Sequence, residues 1–156
     1  MRAPIRHAVV VASVAALGGA AHASAASPTQ FQSKLNAICR SNTPVFDRLN
    51  HRLAGEEGVL QRPVYFADYR HLFLLALAEN ETIEAATPPA ALKTSMARAV
   101  QVLKKMDGYL RAGAAATASS NNSEAIAMIV RAGRLSDTIN PILDAMGLTD
   151  CGSKQS

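Results

Sequence analysis

The sequence predicts an all-α protein, an antiparallel up-down-up-down four-helix bundle closed by one disulfide. Four stretches repeat apolar residues with the helical period of about 3.6 residues, and their short connections favour antiparallel neighbours. The chain is rich in alanine, has 4% aromatic residues and has no tryptophan. This composition suits helices, because alanine loses no side-chain entropy on helix formation. The two cysteines, Cys39 and Cys151, lie near opposite ends of the chain.

The N-terminus has the features of a cleaved export signal. Arg2 and Arg6 precede an apolar run of ten residues, and small-x-small sequences then predict cleavage after Ala23 or Ala25. The apolar run is shorter than the about 20 residues that a membrane-spanning helix needs. We therefore expect a bacterial protein that is periplasmic or secreted, with no stable membrane insertion after cleavage. The predicted segments are a signal peptide over 1–25, the bundle over 26–152 and a flexible tail over 153–156.

The charge of the mature chain argues against nucleic acid as a partner. Removal of Arg2 and Arg6 leaves 14 basic residues against 12 acidic residues. Affinity for nucleic acid comes largely from many contacts between basic side chains and phosphates. A chain so close to neutrality is not expected to make them.

Helix one begins at a recognisable capping sequence. Ser27 is expected to be the N-cap, Pro28 the first helical residue and Gln30 the partner that completes a capping box. Pro44 lies inside the apolar pattern and predicts a kink or a split. Glycines at positions 55 and 58 are expected to end the helix.

Helix two is predicted to start at Pro63. Its segment 72–78, "LFLLALA", is apolar on nearly all sides, which is more than one face of a bundle needs. Either helix two is deeply packed, or its second face meets an apolar ligand or a second copy of the chain in a homodimer.

Prolines and small residues delimit helices three and four. Thr87 as cap and Pro88 in the first turn predict the start of helix three, which is expected to end in the small-residue connector 112–120. Asn121 is the expected cap of helix four, with Glu124 returning the bond. Pro141 predicts a bend. Gly147 is the expected C-cap.

Export also predicts the state of the cysteines. Outside the cytosol two thiols tend to be oxidised, and two cysteines allow one intramolecular connection. A four-helix bundle would bring Cys39 in helix one close to Cys151 just after helix four. Closing a loop of roughly 110 residues stabilises a fold by about 4–5 kcal/mol. Structural zinc usually takes four ligands, and neither cysteine lies in a redox or protease motif, so we expect a structural disulfide.

Two short sequences resemble a loose group of small exported bacterial helical proteins of unknown role. These are "AIC" near the start of helix one and "GLxxCG" after helix four, and the adjacent prolines at 88 and 89 extend the resemblance. It implies a fold and no function. The matching residues are Ala37, Ile38, Cys39, Gly147, Leu148, Cys151 and Gly152.

Two carboxylate–histidine pairs are candidates for a metal site. Asp47 and His51 are spaced i, i+4 and Asp68 and His71 are spaced i, i+3, so each pair can share one helical face. Di-iron bundles use inward-facing Glu-x-x-His sequences, which do not occur here. Asp47 and His51 also fall opposite the apolar stripe of helix one. We expect solvated polar faces and no metal.

Tyr65, Tyr69 and His71 are the candidate cofactor-binding residues. Tyrosine and histidine can be axial ligands of haem, and the core of a bundle can hold a cofactor. The alternative, which we favour, is that the tyrosines are core residues whose hydroxyls reach the rim. A Cys-x-x-Cys-His attachment sequence does not occur. No cofactor is therefore predicted, with haem kept as the alternative.

No sequence motif points to catalysis, and no catalytic residue is predicted. A glycine-rich phosphate loop, Gly-x-Ser-x-Gly and His-Glu-x-x-His do not occur. Glu79, Glu81 and Glu84 are expected to form an exposed acidic end of helix two, and the basic residues of helices three and four to be solvated. The leading hypothesis is a non-enzymatic exported bundle that binds a partner protein or a small ligand. The alternatives are a carrier of haem or another apolar molecule, and a small extracytoplasmic enzyme.

Overall fold

The computed structural model describes residues 27–54 and 63–154, which form four α-helices and no strand. The all-α prediction is thereby confirmed. The predicted signal peptide, the glycines at 55 and 58 and the end of the predicted tail lie outside the described residues. The helices are α1 (Pro28–Ala54), α2 (Pro63–Ala85), α3 (Lys93–Ala118), preceded by a short 3₁₀ helix (Ala90–Leu92), and α4 (Asn122–Ala145).

Two of the three predicted N-caps, Ser27 and Asn121, are confirmed. The backbone N–H of Gln30 donates to Ser27 Oγ at 3.2 Å, and the backbone N–H of Ser27 donates to Gln30 Oε1 at 3.3 Å. This reciprocal pair satisfies two donors that a helix start leaves without partners. At the start of α4, Asn121 Oδ1 accepts from the backbone N–H of Glu124 at 3.3 Å.

Gly147 ends α4 as predicted, in a left-handed conformation with φ of +75°. Its N–H donates to the carbonyl of Asp144 at 2.9 Å, and the N–H of Leu148 donates to the carbonyl of Leu143 at 2.9 Å. This pair of bonds is a Schellman motif, in which glycine is favoured because it has no Cβ to strain. The motif turns the chain back toward α1.

The predicted start of helix three was wrong. Pro88 lies outside the helix, because the ring of Pro89 disfavours the helical region for the residue before it. Pro89 is instead the extended N-cap of the 3₁₀ helix, with ψ of 158°.

The predicted end of helix three was also wrong, because α3 continues through the alanine-rich segment to Ala118. Alanine is the strongest helix former, so small side chains here extend the helix. Helices α1 and α4 run unbroken through Pro44 and Pro141, which excludes a split at Pro44. Buried residues on both sides of Pro44, Cys39 and Leu49, hold the two halves of α1 against the core.

The core lies between the helices, with α3 packed against both α2 and α4, and α1 packed against α2. The largest side chains that are almost completely buried are Phe73, Ile83, Leu103, Leu143, Met146 and Leu148. Met96, Met106 and Met128 are also buried in this core, as expected of flexible side chains that fill gaps.

Gly113 allows α2 to approach α3 closely. A Cβ built on Gly113 would lie 2.3 Å from Cζ of Phe73, a ring that is 1% exposed. Any side chain at position 113 would therefore displace a core aromatic ring.

The Cys39–Cys151 disulfide is present, with the sulfurs 2.01 Å apart and the Cα atoms 5.1 Å apart. Both residues are buried. The bond joins α1 to the turn that follows α4, as the sequence predicts.

Polar side chains of α1 hold the C-terminal turn beside the disulfide. Gln32 Nε2 donates to the carbonyl of Met146 at 2.7 Å. Asn36 Nδ2 donates to the carbonyl of Gly147 at 2.8 Å, and Asn36 Oδ1 accepts from the N–H of Asp150 at 3.0 Å. Arg40 forms an ion pair with Asp150. The three α1 donors are spaced four residues apart, at positions 32, 36 and 40, and so share one helical face.

The apolar segment 72–78 of α2 is not buried on all sides. Phe73 and Leu77 are buried, whereas Leu74 is 47% exposed and Ala78 is exposed. Deep packing of the whole segment is therefore excluded, and the homodimer through helix two stays a prediction. Within residues 27–54 and 63–154, none of the helices has the length and apolar character needed to cross a membrane.

Candidate functional site

A cavity of about 160 Å³ lies where all four helices and the C-terminal turn meet. An engineered apolar cavity of about 150 Å³ can hold a benzene molecule, so the space suits a small organic molecule. Its apolar wall comprises Phe46 of α1, Ala76 and Ile83 of α2, Leu103 and Met106 of α3, Ile139 and Leu143 of α4, and Cys151 and Gly152 of the C-terminal turn.

Two adjacent residues of α2, Glu79 and Asn80, form the polar part of the cavity on this helix. They are only 6% and 7% exposed. Glu79 Oε2 accepts a hydrogen bond from Asn42 Nδ2 of α1 at 2.8 Å. Asn80 Nδ2 donates to Asp107 Oδ1 of α3 at 2.9 Å. Each polar side chain is thus held in place from a different neighbouring helix.

Helix α4 contributes Ser136 and Asn140 to the same cavity. The two residues are one helical turn apart, so both can reach the cavity from one face of α4. Both are half-buried. A hydroxyl and a primary amide can each donate and accept hydrogen bonds, and they face the cavity that Glu79 and Asn80 also line.

An electrostatic network extends from this polar group toward solvent. Asp107, which is 6% exposed, lies 3.6 Å from Arg111 Nη2, and the same nitrogen lies 2.9 Å from Glu81 Oε1. Burial, followed by the negative charge of Asp107, raises the pKa of Glu84 above its ordinary value. Among the described side chains, Glu84 Oε1 is buried without a hydrogen-bond partner.

The expectation of an exposed acidic end on helix two was wrong for Glu79. Glu81 is exposed as predicted, but Glu79 is buried in the cavity wall. The charge of Glu79 predicts exposure to solvent, whereas in the structure the carboxylate is buried and accepts a hydrogen bond from Asn42 of another helix. Asn80 was also missed, although it follows Phe73 and Ala76 at helical spacing and so falls on the apolar stripe.

The two carboxylate–histidine pairs meet around a second cavity between α1 and α2. Asp47 and His51 from α1 and Asp68 and His71 from α2 line this space of about 480 Å³, together with Arg48. Three of the four pair members are exposed, as the polar-face prediction requires, whereas Asp68 is 8% exposed. Across residues 27–54 and 63–154, no three histidine, cysteine or carboxylate side chains are grouped so as to hold a metal ion.

The structure separates the described haem candidates. Tyr69 is half-buried and packs against the core, and burial raises the pKa of its hydroxyl. His71 is exposed at the second cavity, which Tyr69 does not line. The side chain of Tyr65 lies outside the described part of the chain. Haem binding therefore stays an untested alternative.

The basic side chains of α3 and α4 are solvated, as predicted. Arg131 lies over the ring of Tyr109, with its Cζ 5.9 Å from the ring centroid, and so covers an aromatic face on the surface. The exposed basic residues of these two helices are Lys93, Arg98, Lys104, Lys105, Arg111, Arg131 and Arg134.

Comparison with known proteins gives no relative for this chain: no family model, no curated protein and no solved structure matches it.

Proposed function

We propose that the chain is an exported, non-enzymatic four-helix bundle that binds a small organic ligand in the cavity between its helices. The observation that carries this proposal is the composition of the first cavity. Buried Glu79 and Asn80 lie beside the apolar side chains of Ile83, Leu103 and Leu143. Ligand sites are typically apolar spaces with a few fixed polar groups that orient the ligand.

The up-down-up-down topology is part of the proposal, and contacts between α1 and α2 support it. Asn42 of α1 bonds to Glu79 of α2. Further along α1, His51 shares the second cavity with the earlier α2 residue Asp68. In an antiparallel pair, residues later in one helix lie beside residues earlier in the other, which is the order found here.

The other two helix pairs follow the same pattern. Phe73 of α2 approaches Gly113 of α3, whereas the later Asn80 bonds to the earlier Asp107. For α3 and α4, Leu103 and the later Ile139 both line the first cavity, whereas Tyr109 lies beneath the earlier Arg131 on the surface.

The ligand-binding proposal is tested by filling the cavity. Benzyl alcohol, a neutral molecule of suitable size, is titrated into isotope-labelled protein, and chemical shifts are followed by NMR. We expect saturable shifts at cavity residues. Ala76→Leu places a larger side chain in the cavity and is expected to abolish them.

Ala78→Leu is the matched control, because Ala78 lies on the same helix but is exposed. It is expected to leave binding unchanged. Equal binding by the Ala76→Leu variant and the unmodified protein would contradict the proposal. Native mass spectrometry of protein purified from its host then gives the mass of a retained natural ligand and the oligomeric state.

Export is tested by expressing the full chain in a bacterial host and sequencing the N-terminus of the extracytoplasmic protein. Cleavage after Ala23 or Ala25 predicts Ser24 or Ala26 as the first residue. Recovery of the full chain from the cytosol, with Met1 retained, would contradict this part of the proposal.

A further inference from the structure

The outward side of α2 carries a second residue pattern, distinct from the one that faces the core. Six exposed residues follow one another at alternating intervals of four and three positions, which is the spacing of a coiled-coil seam. At 3.6 residues per turn they lie opposite Asn80 and Ile83, which are buried. We call this set the outer seam. Its members are Ala67, His71, Leu74, Ala78, Glu81 and Ala85.

Leu74 is the large apolar residue of the outer seam, and 47% of its surface is exposed. The next seam residue along the chain, Ala78, is small and also exposed. Small side chains let two helices approach closely, and a large residue opposite a small one lets the facing layers interdigitate. The outer seam therefore suits a second helix that places a small residue opposite Leu74.

The outer seam is complementary to itself when two copies run antiparallel. The six residues are arranged symmetrically about position 76, so an antiparallel pair centred there aligns the whole seam. A parallel pair would instead place each residue opposite its own copy, with Leu74 against Leu74 and Glu81 against Glu81. In the antiparallel pair the facing residues are Ala67 with Ala85, His71 with Glu81, and Leu74 with Ala78, each pair occurring twice.

Charge complementarity supports the antiparallel arrangement. Glu81 of one copy faces His71 of the other, whose imidazole N–H can donate to a carboxylate. The adjacent Arg70 is exposed and adds a permanent positive charge. Glu81 Oε1 already accepts from Arg111 at 2.9 Å, but its side chain is 57% exposed, and a carboxylate has about four acceptor positions. Opposite charges thus meet at both ends of the antiparallel pair.

We propose that a second copy of the chain covers this surface, in a two-fold symmetric homodimer whose outer seams pack antiparallel. The same residues of both copies form such an interface. Its ends, Ala67 and Ala85, lie about 27 Å apart along α2 at 1.5 Å per residue. The α2 residues that line the first cavity are not members of the outer seam, so dimerisation is independent of the proposed ligand binding.

The proposal is tested by sedimentation equilibrium of the purified oxidised protein at concentrations from about 1 µM to about 1 mM. We expect the mass to rise from that of one chain to that of two. Leu74→Arg places a charge at the centre of the interface and is expected to weaken dimerisation by about tenfold or more. The matched control is Val130→Arg, because Val130 is also 47% exposed but lies on α4. It is expected to leave dimerisation unchanged.

A charge reversal tests the pairing across the interface. Arg70→Glu places like charges beside Glu81 of the other copy and is expected to weaken dimerisation by about tenfold. The double variant Arg70→Glu/Glu81→Arg restores opposite charges and is expected to dimerise within about threefold of the unmodified protein. Loss of dimerisation in the double variant equal to that in Arg70→Glu would contradict this pairing.

Cross-linking tests the direction of the two helices. Protein carrying Ala67→Cys, mixed with protein carrying Ala85→Cys, is expected to form a disulfide-linked dimer of the two variants under air oxidation. Ala67→Cys alone is not, because its two copies would be about 27 Å or more apart.

Three results would overturn the proposal. These are a single-chain mass at every concentration, a dimer that Val130→Arg weakens and Leu74→Arg does not, and efficient cross-linking by Ala67→Cys alone.

Discussion

Removing the Cys39–Cys151 bond would measure how far one covalent link stabilises this fold. The two residues are separated by 112 positions, so the bond closes a loop that contains most of the chain. By the chain-entropy relation, opening a loop of this length lowers the free energy of unfolding by about 4.8 kcal/mol at 25 °C. Domains of this size are typically stable by about 5–15 kcal/mol, so we expect the link to supply a large share of the total.

Urea unfolding followed by far-ultraviolet circular dichroism provides the measurement. Three samples are compared: the oxidised protein, the same protein reduced, and the Cys39→Ala/Cys151→Ala double variant. The reduced protein keeps both sulfurs in the core, so its loss of stability reports the link itself. The double variant should lose slightly more, because truncating buried sulfurs also removes packing.

The denaturant dependence tests the physical reasoning independently of the midpoint. An unfolded chain without the link is more extended and exposes more surface, so the slope of stability against urea should rise on reduction. The prediction fails if oxidised and reduced protein differ by less than about 1 kcal/mol. A loss of helical signal before unfolding would show that the link holds native structure, not only the unfolded ensemble.

Two further substitutions test the interior of the bundle. Gly113→Ala should lower stability by about 1–2 kcal/mol in thermal unfolding, because displacing Phe73 outweighs the gain of about 1 kcal/mol from alanine in a helix. The control Gly133→Ala should be neutral or stabilising, because a Cβ added there would have nothing within 4 Å. Equal effects at both sites would contradict the reasoning. Burial and Asp107 raise the pKa of Glu84 above 4.5, so the folded state binds this proton more tightly and stability falls as pH rises from 4.5 through the raised pKa. Glu84→Gln should therefore be more stable than the unmodified protein at pH 7 in urea unfolding, with the difference disappearing below pH 4.5; a difference independent of pH would refute this assignment.

Local chemistry predicted most of the helix boundaries. Ser27, Asn121 and Gly147 could be assigned from sequence because each cap is completed within a few residues of the chain. Prolines were harder to interpret. The ring of Pro89 disfavours a helical conformation at Pro88, so the helical segment starts later than predicted. At Pro44, packing of the residues on both sides against the core keeps α1 continuous despite the missing N–H donor.

The polar part of the cavity depends on contacts that sequence periodicity does not reveal. Glu79 accepts a hydrogen bond from Asn42, which is 37 positions away, and Asn80 donates one to Asp107, which is 27 positions away. Asn80 falls on an apolar stripe, which marks it as a buried polar residue before any partner is known. Its partner, and the burial of Glu79, become predictable only once α1, α2 and α3 are placed side by side.

The same contacts connect the fold to the proposed function. A buried carboxylate is desolvated, and replacing buried polar groups with apolar side chains of similar volume is often neutral or stabilising. An apolar residue at position 79 would also reduce the space between the helices. Packing alone therefore favours neither Glu79 nor the cavity beside it. A ligand that enters this space would cover the apolar wall and could bond to the polar side chains beside it, so the proposed ligand binding gives a physical reason for the cavity.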